Sequence, residues 1–301
     1  MKKPLLSILM ITYNHESYIE QAIKGVFSQK VNFPVEFVIS NDCSTDKTHQ
    51  KIEEILKDSP ENFTIKYYNH TENLGMMENF IFSLKQCHGK YIALCEGDDY
   101  WIDNNKLQKQ VNFLEKNSDF TICHHRVKLN INGTEELHKY HVSKNTPIKQ
   151  TLEDITKYNF IYTCSVVFRN IPVNMPDWYK FLPIGDYTLW LFLAKNGNIY
   201  YMPDIMGVYR IGSGVFSTET NISKLQTTNV ALHFYKKIFP YCSIYYKNLD
   251  FQEKQNIRTI SKYYLYNTVH KEKNIKVLPG SFLGRNGLGK GYIRIALVEN
   301  E

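Results

Sequence analysis

The sequence predicts an α/β fold: a mostly parallel central sheet flanked by helices, followed by a helical C-terminal extension. Two observations carry this. Short apolar runs alternate with helix-period stripes through roughly the first 115 residues, the pattern of repeated strand-helix-strand units. The second is the stretch Tyr91-Ile92-Ala93-Leu94-Cys95-Glu96-Gly97-Asp98-Asp99-Tyr100-Trp101, a strand-like run that ends in three carboxylates within four residues. Like charges that close repel unless a cation sits among them. Open α/β sheets bind ligands at the C-terminal ends of their strands. Gly-Asp-Asp is also ordinary turn chemistry, so this stretch alone leaves a polar turn and a metal site both open.

Taken in order, residues 5–13 are apolar and β-branched and read as a buried first strand. Residues 17–29 carry Tyr18, Ile19, Ala22, Ile23, Val26 and Phe27 at helical spacing. Residues 35–40 are a second strand, ending in the turn and cap residues Asn41-Asp42-Cys43-Ser44-Thr45-Asp46. A helix over 48–56, a strand over 63–68, a helix over 76–87, the acidic-ended strand 91–95 and a helix over 107–114 follow. Right-handed crossovers put the C-terminal ends of these strands on one edge. Thr12-Tyr13-Asn14, Asn41-Asp42 and Glu96 to Asp99 are therefore expected to converge there. Neither GxGxxG nor GxxxxGK[ST] follows the first strand, so no glycine loop is available to cradle a phosphate.

Beyond residue 118, a buried strand is expected at 163–169 and a final strand pair over 200–210, leading into a Gly-Ser loop at 212–217 that could close over a bound ligand. His124 and His125 are adjacent in a strand, so one is expected to point in and one out; they do not read as a metal pair. Residues 222–239 and 251–270 read as helices.

With 43% hydrophobic and 22% charged residues, the composition is that of an ordinary globular protein. None of the six cysteines forms a CxxC pair, and several sit inside apolar runs and read as small buried hydrophobes, which favours a reducing compartment. Met1-Lys2-Lys3-Pro4 leads into the first strand with no small-residue cleavage site. No run reaches the length of a membrane span. A cytoplasmic protein follows as the expectation. Net charge is +6, and residues 241–301 hold ten Lys and Arg against five Asp and Glu. This basic tail reads either as a solvated helical cap on the catalytic domain or as a peripheral contact with an anionic membrane, with no nucleic-acid partner.

The chain resembles family 2 glycosyltransferases, with the GT-A-like nucleotide-diphospho-sugar transferase fold. Four landmarks occur in order: Leu6 to Asn14 ending in Thr-Tyr-Asn; Asn41-Asp42-Cys43-Ser44-Thr45-Asp46-Lys47-Thr48; Glu72-Asn73-Leu74-Gly75 with Asn79, then Gly89-Lys90-Tyr91-Ile92 and Glu96-Gly97-Asp98-Asp99 as the Asp-x-Asp motif; and Gly185-Asp186-Tyr187 with Leu189-Trp190-Leu191, then Tyr209-Arg210. The resemblance implies a catalytic domain at 1–220, with a nucleotide-sugar half at 1–115 and an acceptor half at 116–220, and a basic helical extension at 221–301. It implies that Thr12, Tyr13, Asn14, Asp42, Asn73 and Gly75 lie against the nucleotide and that Glu96 approaches the ribose. Asp98 and Asp99 would hold Mn or Mg, and Asp186 would be the catalytic base. Arg210 is added as a substrate-binding candidate.

The implied activity is inverting transfer of a sugar, hexosyl or N-acetylhexosaminyl, from a UDP-sugar or other nucleotide-sugar. The acceptor would be a glycan or lipid-linked hydroxyl in cell-surface polysaccharide biosynthesis. Several positions depart from the pattern: Asn41 for Asp, Cys43 for Gly, Glu96 for Asp, Gly185 for Glu, and Gly212 where members often carry His. Arg210 or a basic group of the tail is the expected compensation for that His. Each site residue also has a plainer reading. Asp42, Asp46 and Asp186 could cap helices; ligand is preferred for Asp42 and cap for Asp46. Tyr13 could be core. Trp178, Tyr179, Tyr187 and Trp190 suit sugar stacking or core packing, and core is preferred for Trp190. Two other functions remain as alternatives. A nucleotidyltransferase would want a glycine-rich loop with a basic residue after the first strand. A non-catalytic nucleotide- or glycan-binding relic would have no need of Asp98, Asp99 and Asp186 together.

Overall fold

The computed structural model describes residues 3–137, 147–214 and 220–270. The chain divides into two compact units, Met1–Glu219 and Thr220–Glu301. In the first, the elements run β1 (Leu6–Thr12), α1 (Ile19–Phe27), β2 (Val35–Asn41), α2 (Thr48–Ile55), β3 (Phe63–Asn69), α3 (Met76–Lys85), β4 (Tyr91–Leu94), β5 (Tyr100–Trp101) and α4 (Lys106–Lys116). Then come β6 (Phe120–Ile131), β7 (Thr134–Leu137), β8 (Lys149–Gln150), α5 (Leu152–Lys157), β9 (Val167–Arg169), α6 (Asp186–Ala194) and β10 (Asn198–Ile211). The second unit holds α7 (Asn221–Tyr235) and α8 (Ile244–His270).

The sheet order is β3-β2-β1-β4-β9-β6-β10-β5, with β7 beside β6 and β8 beside β10. β3, β2, β1 and β4 run parallel, as do β6 and β10; β9 and β5 are antiparallel to their neighbours. Every residue of β1, β2 and β4 is buried, which is what a strand covered on both faces requires and why these runs are continuously apolar. α1 buries Ile19, Ala22, Ile23 and Val26 on one face. Fully burying an Ile or Val stabilises by about 1.5–3 kcal/mol each. The same helix comes close to β5 at Gly25, where a Cβ would lie 3.0 Å from the Trp101 backbone nitrogen and oxygen.

The start of β4 is tied to β1 even more closely. Gly89 donates its N–H to Ser7 Oγ at 2.8 Å, and Ser7 Oγ donates to the buried Glu36 at 2.6 Å. A Cβ on Gly89 would sit 2.5 Å from Ser7 N and 2.7 Å from Leu6 C. Both are backbone atoms that cannot swing aside. Gly89→Ala is expected to cost about 2–3 kcal/mol through overpacking, a fall in thermal midpoint of roughly 5–10 °C for a domain of this size. An unchanged midpoint would mean that β1 and β4 can separate freely.

Three expectations are corrected here. The strand expected over 163–169 forms only at β9. Residues Thr163–Ser165 are a 3₁₀ turn, in which Ser165 Oγ donates to Tyr162 O at 2.7 Å; such local bonds compete with a ladder. The expected strand pair over 200–210 is one strand, β10. Its register on β6 shifts between Met202 and Ile205 and again before Gly207. Pro203 has no N–H to give the ladder, so the chain bulges there and continues in the same direction. Finally, His124 and His125 are both buried. β6 is an interior strand with α4 and α6 packed on it, so neither face is open to water. Among the described residues no helix is long and apolar enough to cross a membrane. The loop expected over 212–217 lies partly outside the described residues, as does the tail after 270.

Candidate active site

The expected convergence occurs. β1, β2 and β4 lie side by side in parallel, and their C-terminal ends deliver Thr12, Asn41-Asp42 and the acidic turn to one edge. The ladder even continues past the strands: Asp42 N donates to Thr12 O at 2.9 Å, and Gly97 N donates to Ile11 O at 3.0 Å. The polar loops are laced together. Asn14, at φ 54°, accepts the Thr45 N–H on its Oδ1 at 2.8 Å. Asp46 accepts the N–H groups of Glu16 and Thr48, each at 2.9 Å, so it acts as the cap expected of it. Tyr13 is 41% exposed and stands clear of the core.

Asp42 is 3% exposed, and its two oxygens accept the N–H groups of Leu74 at 2.7 Å and Gly75 at 3.0 Å. Asn73 Nδ2 donates to Asp42 O at 3.0 Å, and Asn73 Oδ1 also accepts from Gly75 N. The Asp42 carboxylate thus fixes the 73–75 loop, whose Gly75 takes φ 86°, a conformation that Gly adopts without strain. Asn41 gives Nδ2 to Asn69 Oδ1 at 2.7 Å. A carboxylate at 41 could not make that bond. Cys43 holds φ 57°, so the left-handed turn persists with a side chain in place of the glycine.

Glu96, Asp98 and Asp99 each bring a carboxylate oxygen within 4.8 Å of the others. Glu96 is half-buried; Asp98 and Asp99 are 5% and 1% exposed. Burial first, then the Asp98 and Asp186 charges, pushes the Glu96 carboxyl up to about 8. Burial, followed by Asp98 and Glu96, raises Asp99 well above the carboxylate range. Asp99 Oδ1 accepts the Arg210 N–H at 2.8 Å. Its Oδ2 is buried beside the Cys164 thiol, a weak donor, with no stronger partner. Three clustered carboxylates, one of them with an unpartnered buried oxygen, are the donor set that Mg or Mn prefers. The residues present therefore fit a divalent cation.

Asp186 opens α6 and faces this cluster. Its Oδ1 accepts the Tyr187 N–H at 2.6 Å and its Oδ2 accepts the Thr163 hydroxyl at 3.2 Å. Burial lifts its carboxyl above the ordinary value, against those two donors. A Cβ at Gly185 beside it would meet Met77 Sδ at 2.5 Å, so the flexible Met77 thioether would have to move aside. Tyr179 and Tyr187 are not stacking surfaces. Both are buried, with hydroxyls donating to Gly185 O at 3.2 Å and Ile155 O at 2.6 Å. Trp190 is core, as expected, edge-on to Phe168 at 5.8 Å. Trp178 is half-buried.

Arg210 is committed to bracing the acidic turn. Its guanidinium lies between the rings of Tyr18 and Tyr100, 4.9 and 4.5 Å from their centroids. It donates to Asp98 O and to Gln21 Oε1. Gly212 takes φ +92°, a backbone that strains any L side chain. The next residue fills the gap, with Ser213 Oγ donating to Asp98 Oδ2 at 2.8 Å. Sequence reasoning missed Ser213, Gln21 and His15. His15 shares a hydrogen bond with Thr12 Oγ1 at 3.1 Å, and a Cβ on Gly97 would lie 2.9 Å from its Nδ1. Burial is the main cause that lowers its pKa, although the Asp98 and Asp46 charges oppose this. Its place directly after Thr-Tyr-Asn was the only hint for His15, and the Gly-Ser loop at 212–217 the only hint for Ser213; Gln21 carried no local signal.

The sequence profile described as Glycosyl transferase family 2 matches residues 7–172. The chain belongs to that family. An uncharacterized protein of Mycobacterium tuberculosis is 37% identical over 206 residues, 68% of this chain and 58% of the relative's own length. The chain thus matches little more than half of that curated relative. The Escherichia coli UDP-Glc:alpha-D-GlcNAc-diphosphoundecaprenol beta-1,3-glucosyltransferase WfgD is 31% identical over 197 residues, covering 65% of this chain and 72% of WfgD. Among solved structures, the mannosyltransferase PcManGT of Pyrobaculum calidifontis, in complex with GDP-Man and Mn2+, superposes with a TM-score of 0.64. That match has 13% identity and covers 91% of this chain and 77% of that one. It shows the fold, the GT-A type expected from the sequence.

The raised carboxyls make a prediction about the metal-free protein. A group whose folded pKa exceeds its unfolded value keeps a proton that the unfolded chain has released. It stabilises at low pH and loses that contribution as pH rises through the folded pKa. For Glu96 the window runs from 4.5 to about 8. In chelator, the thermal midpoint is expected to fall by several degrees as pH rises from about 5 to about 8, and Glu96→Gln to flatten the slope. A midpoint that rises across this window in scanning calorimetry would contradict the burial of these groups.

Proposed function

We propose that this protein is an inverting glycosyltransferase that moves a sugar from a UDP-sugar to a hydroxyl of a glycan or lipid-linked acceptor in cell-surface polysaccharide synthesis. One observation carries the reading: a separate, half-buried carboxylate, Asp186, lies close enough to a cluster of three carboxylates at the C-terminal edge of a parallel sheet to raise the Glu96 pKa. The division suits one displacement with two charges to manage. The acceptor hydroxyl is a poor nucleophile, so Asp186 takes its proton as the oxygen attacks the anomeric carbon. The raised pKa of Asp186 brings its basicity nearer to that task. Thr163 and the Tyr187 N–H hold its two oxygens in place. The bond from the anomeric carbon to the diphosphate breaks as the new one forms, and a single in-line attack inverts the centre.

Asp98 and Asp99, with Glu96 beside them, would hold the divalent ion, which neutralises charge developing on the nucleoside diphosphate when bound. Arg210 and Ser213 set the acidic turn. Tyr13, exposed at the mouth, is the candidate to stack on the base, and Thr12, Asn14, Asn73 and Gly75 form the adjoining rim. The printed name of WfgD, with its UDP-linked donor and diphosphoundecaprenol acceptor, supports this choice of donor and acceptor class. Calorimetric titration of UDP with and without Mn tests the proposal. Binding that requires Mn, followed by metal-dependent hydrolysis of one UDP-sugar, is the expected result. Binding of GDP, dTDP or CMP in place of UDP would correct the donor. Silence with all four would remove the transferase reading.

A further inference from the structure

The exposed residues of α8 lie on one half of the helix, with Gln255, Thr259 and Tyr263 along one flank of it. Ile244, Lys247, Phe251, Lys254, Arg258 and Lys262 are all exposed, and at 3.6 residues per turn they fall within an arc of about 80°. The buried Leu249 and Ile260 lie on the opposite side. Phe251 is 62% exposed and Ile244 48%. The acidic residues of the same stretch, Asp250 and Glu253, are turned away from this arc toward Lys236, whose Nζ donates to Asp250 Oδ1 at 3.0 Å and to Glu253. Lys254 reaches Asp250 Oδ2 at 2.6 Å and still keeps 65% of its side chain exposed. Just before the helix, Tyr241 is 80% exposed. The result is a stripe of cations interleaved with large apolar side chains, with Asp250 at its margin paired to both Lys236 and Lys254.

We propose that this stripe is a docking surface for an anionic phospholipid bilayer. Lys247, Lys254, Arg258 and Lys262 would lie at the level of the phosphates, with Phe251 and Ile244 inserted between them. Cations along one helix face gain Coulomb attraction from a negative leaflet, and apolar side chains among them gain by leaving water at the same depth. A soluble polyanion would use the cations but gain nothing from Phe251 or Ile244, and the apolar positions therefore favour the bilayer. The inference is independent of the transferase reading, since no residue of the acidic site takes part.

The test uses the full chain and flotation with phosphatidylcholine vesicles, with and without phosphatidylglycerol. Binding is expected only with phosphatidylglycerol, and it should weaken with salt. The double reversal Lys247→Glu with Arg258→Glu is expected to weaken it by on the order of tenfold or more. Phe251→Ser should weaken it severalfold, with a loss that persists at high salt because apolar insertion is not screened. Circular dichroism checks that both variants keep their helices. No binding to phosphatidylglycerol vesicles, or equal binding by the double reversal, would overturn the proposal. So would binding to heparin that ignores Phe251→Ser while vesicles go unbound, which would point to a polyanionic polymer instead.

Discussion

Asp186→Asn is expected to lower turnover by on the order of 10²–10⁴, the usual worth of a positioned general base, while leaving Mn-dependent UDP affinity within about twofold. Asn keeps the shape of Asp and can still accept the Tyr187 N–H, so the start of α6 should stand. What it loses is the ability to take a proton. The split between rate and binding is the informative readout. A purely structural cap would cost stability and binding together, whereas a base costs the chemical step alone. Retention of more than about a tenth of the wild-type rate would exclude Asp186 as the base. The pH profile gives a second handle. Burial raises the Asp186 carboxyl, so the acidic limb of kcat/KM should lie above the ordinary aspartate range. Activity should rise with pH through that limb and flatten once the carboxylate is formed.

Asp98→Ala is expected to raise the UDP dissociation constant in Mn by about 100-fold or more, the scale of losing a direct ligand rather than a supporting one. It should also leave the metal-free protein as stable as wild type or more so, because Asp98 crowds both Glu96 and Asp99. Lost binding without lost stability marks a site that sacrifices folding energy for function. The contact from Ser213 to Asp98 is lost as well. Ser213→Ala is the control for that smaller effect. An Asp98→Ala isotherm within about threefold of wild type would take the ion away from this residue. The carboxylate cluster would then need another explanation.

Local sequence determined the strands, the helices and the edge at which they meet. β1, β2 and β4 are covered on both faces and so are written as unbroken apolar runs, and the handedness of their crossovers leaves one place for the polar ends to go. The carboxylates of the acidic turn were legible for the same reason, since they sit where a strand ends; Asp186 was singled out by the family resemblance instead. The supports for those residues are long-range and were not legible. Arg210 lies more than a hundred residues from Asp98 and nearly two hundred from Gln21, and no periodicity links them. Sequence reasoning offered Arg210 as a substrate-binding candidate; the fold adds that its guanidinium packs against Tyr18 and Tyr100 and donates to Asp98 O and Gln21 Oε1. Asp42 read as a ligand in the sequence, and in the fold its carboxylate holds the 73–75 loop.

Burial was decided by tertiary structure too. His124 and His125 alternate in sequence, yet both are covered because β6 has neighbours on either side and helices packed upon it. The strand pair expected over 200–210 is a single strand, because the ladder to β6 absorbs Pro203 as a bulge. A residue's type sets which bonds and conformations it can offer. Which of them it makes depends on what the rest of the chain brings within about 3 Å of it, because hydrogen bonds are lost over a few tenths of an ångström and sequence distance says nothing about that.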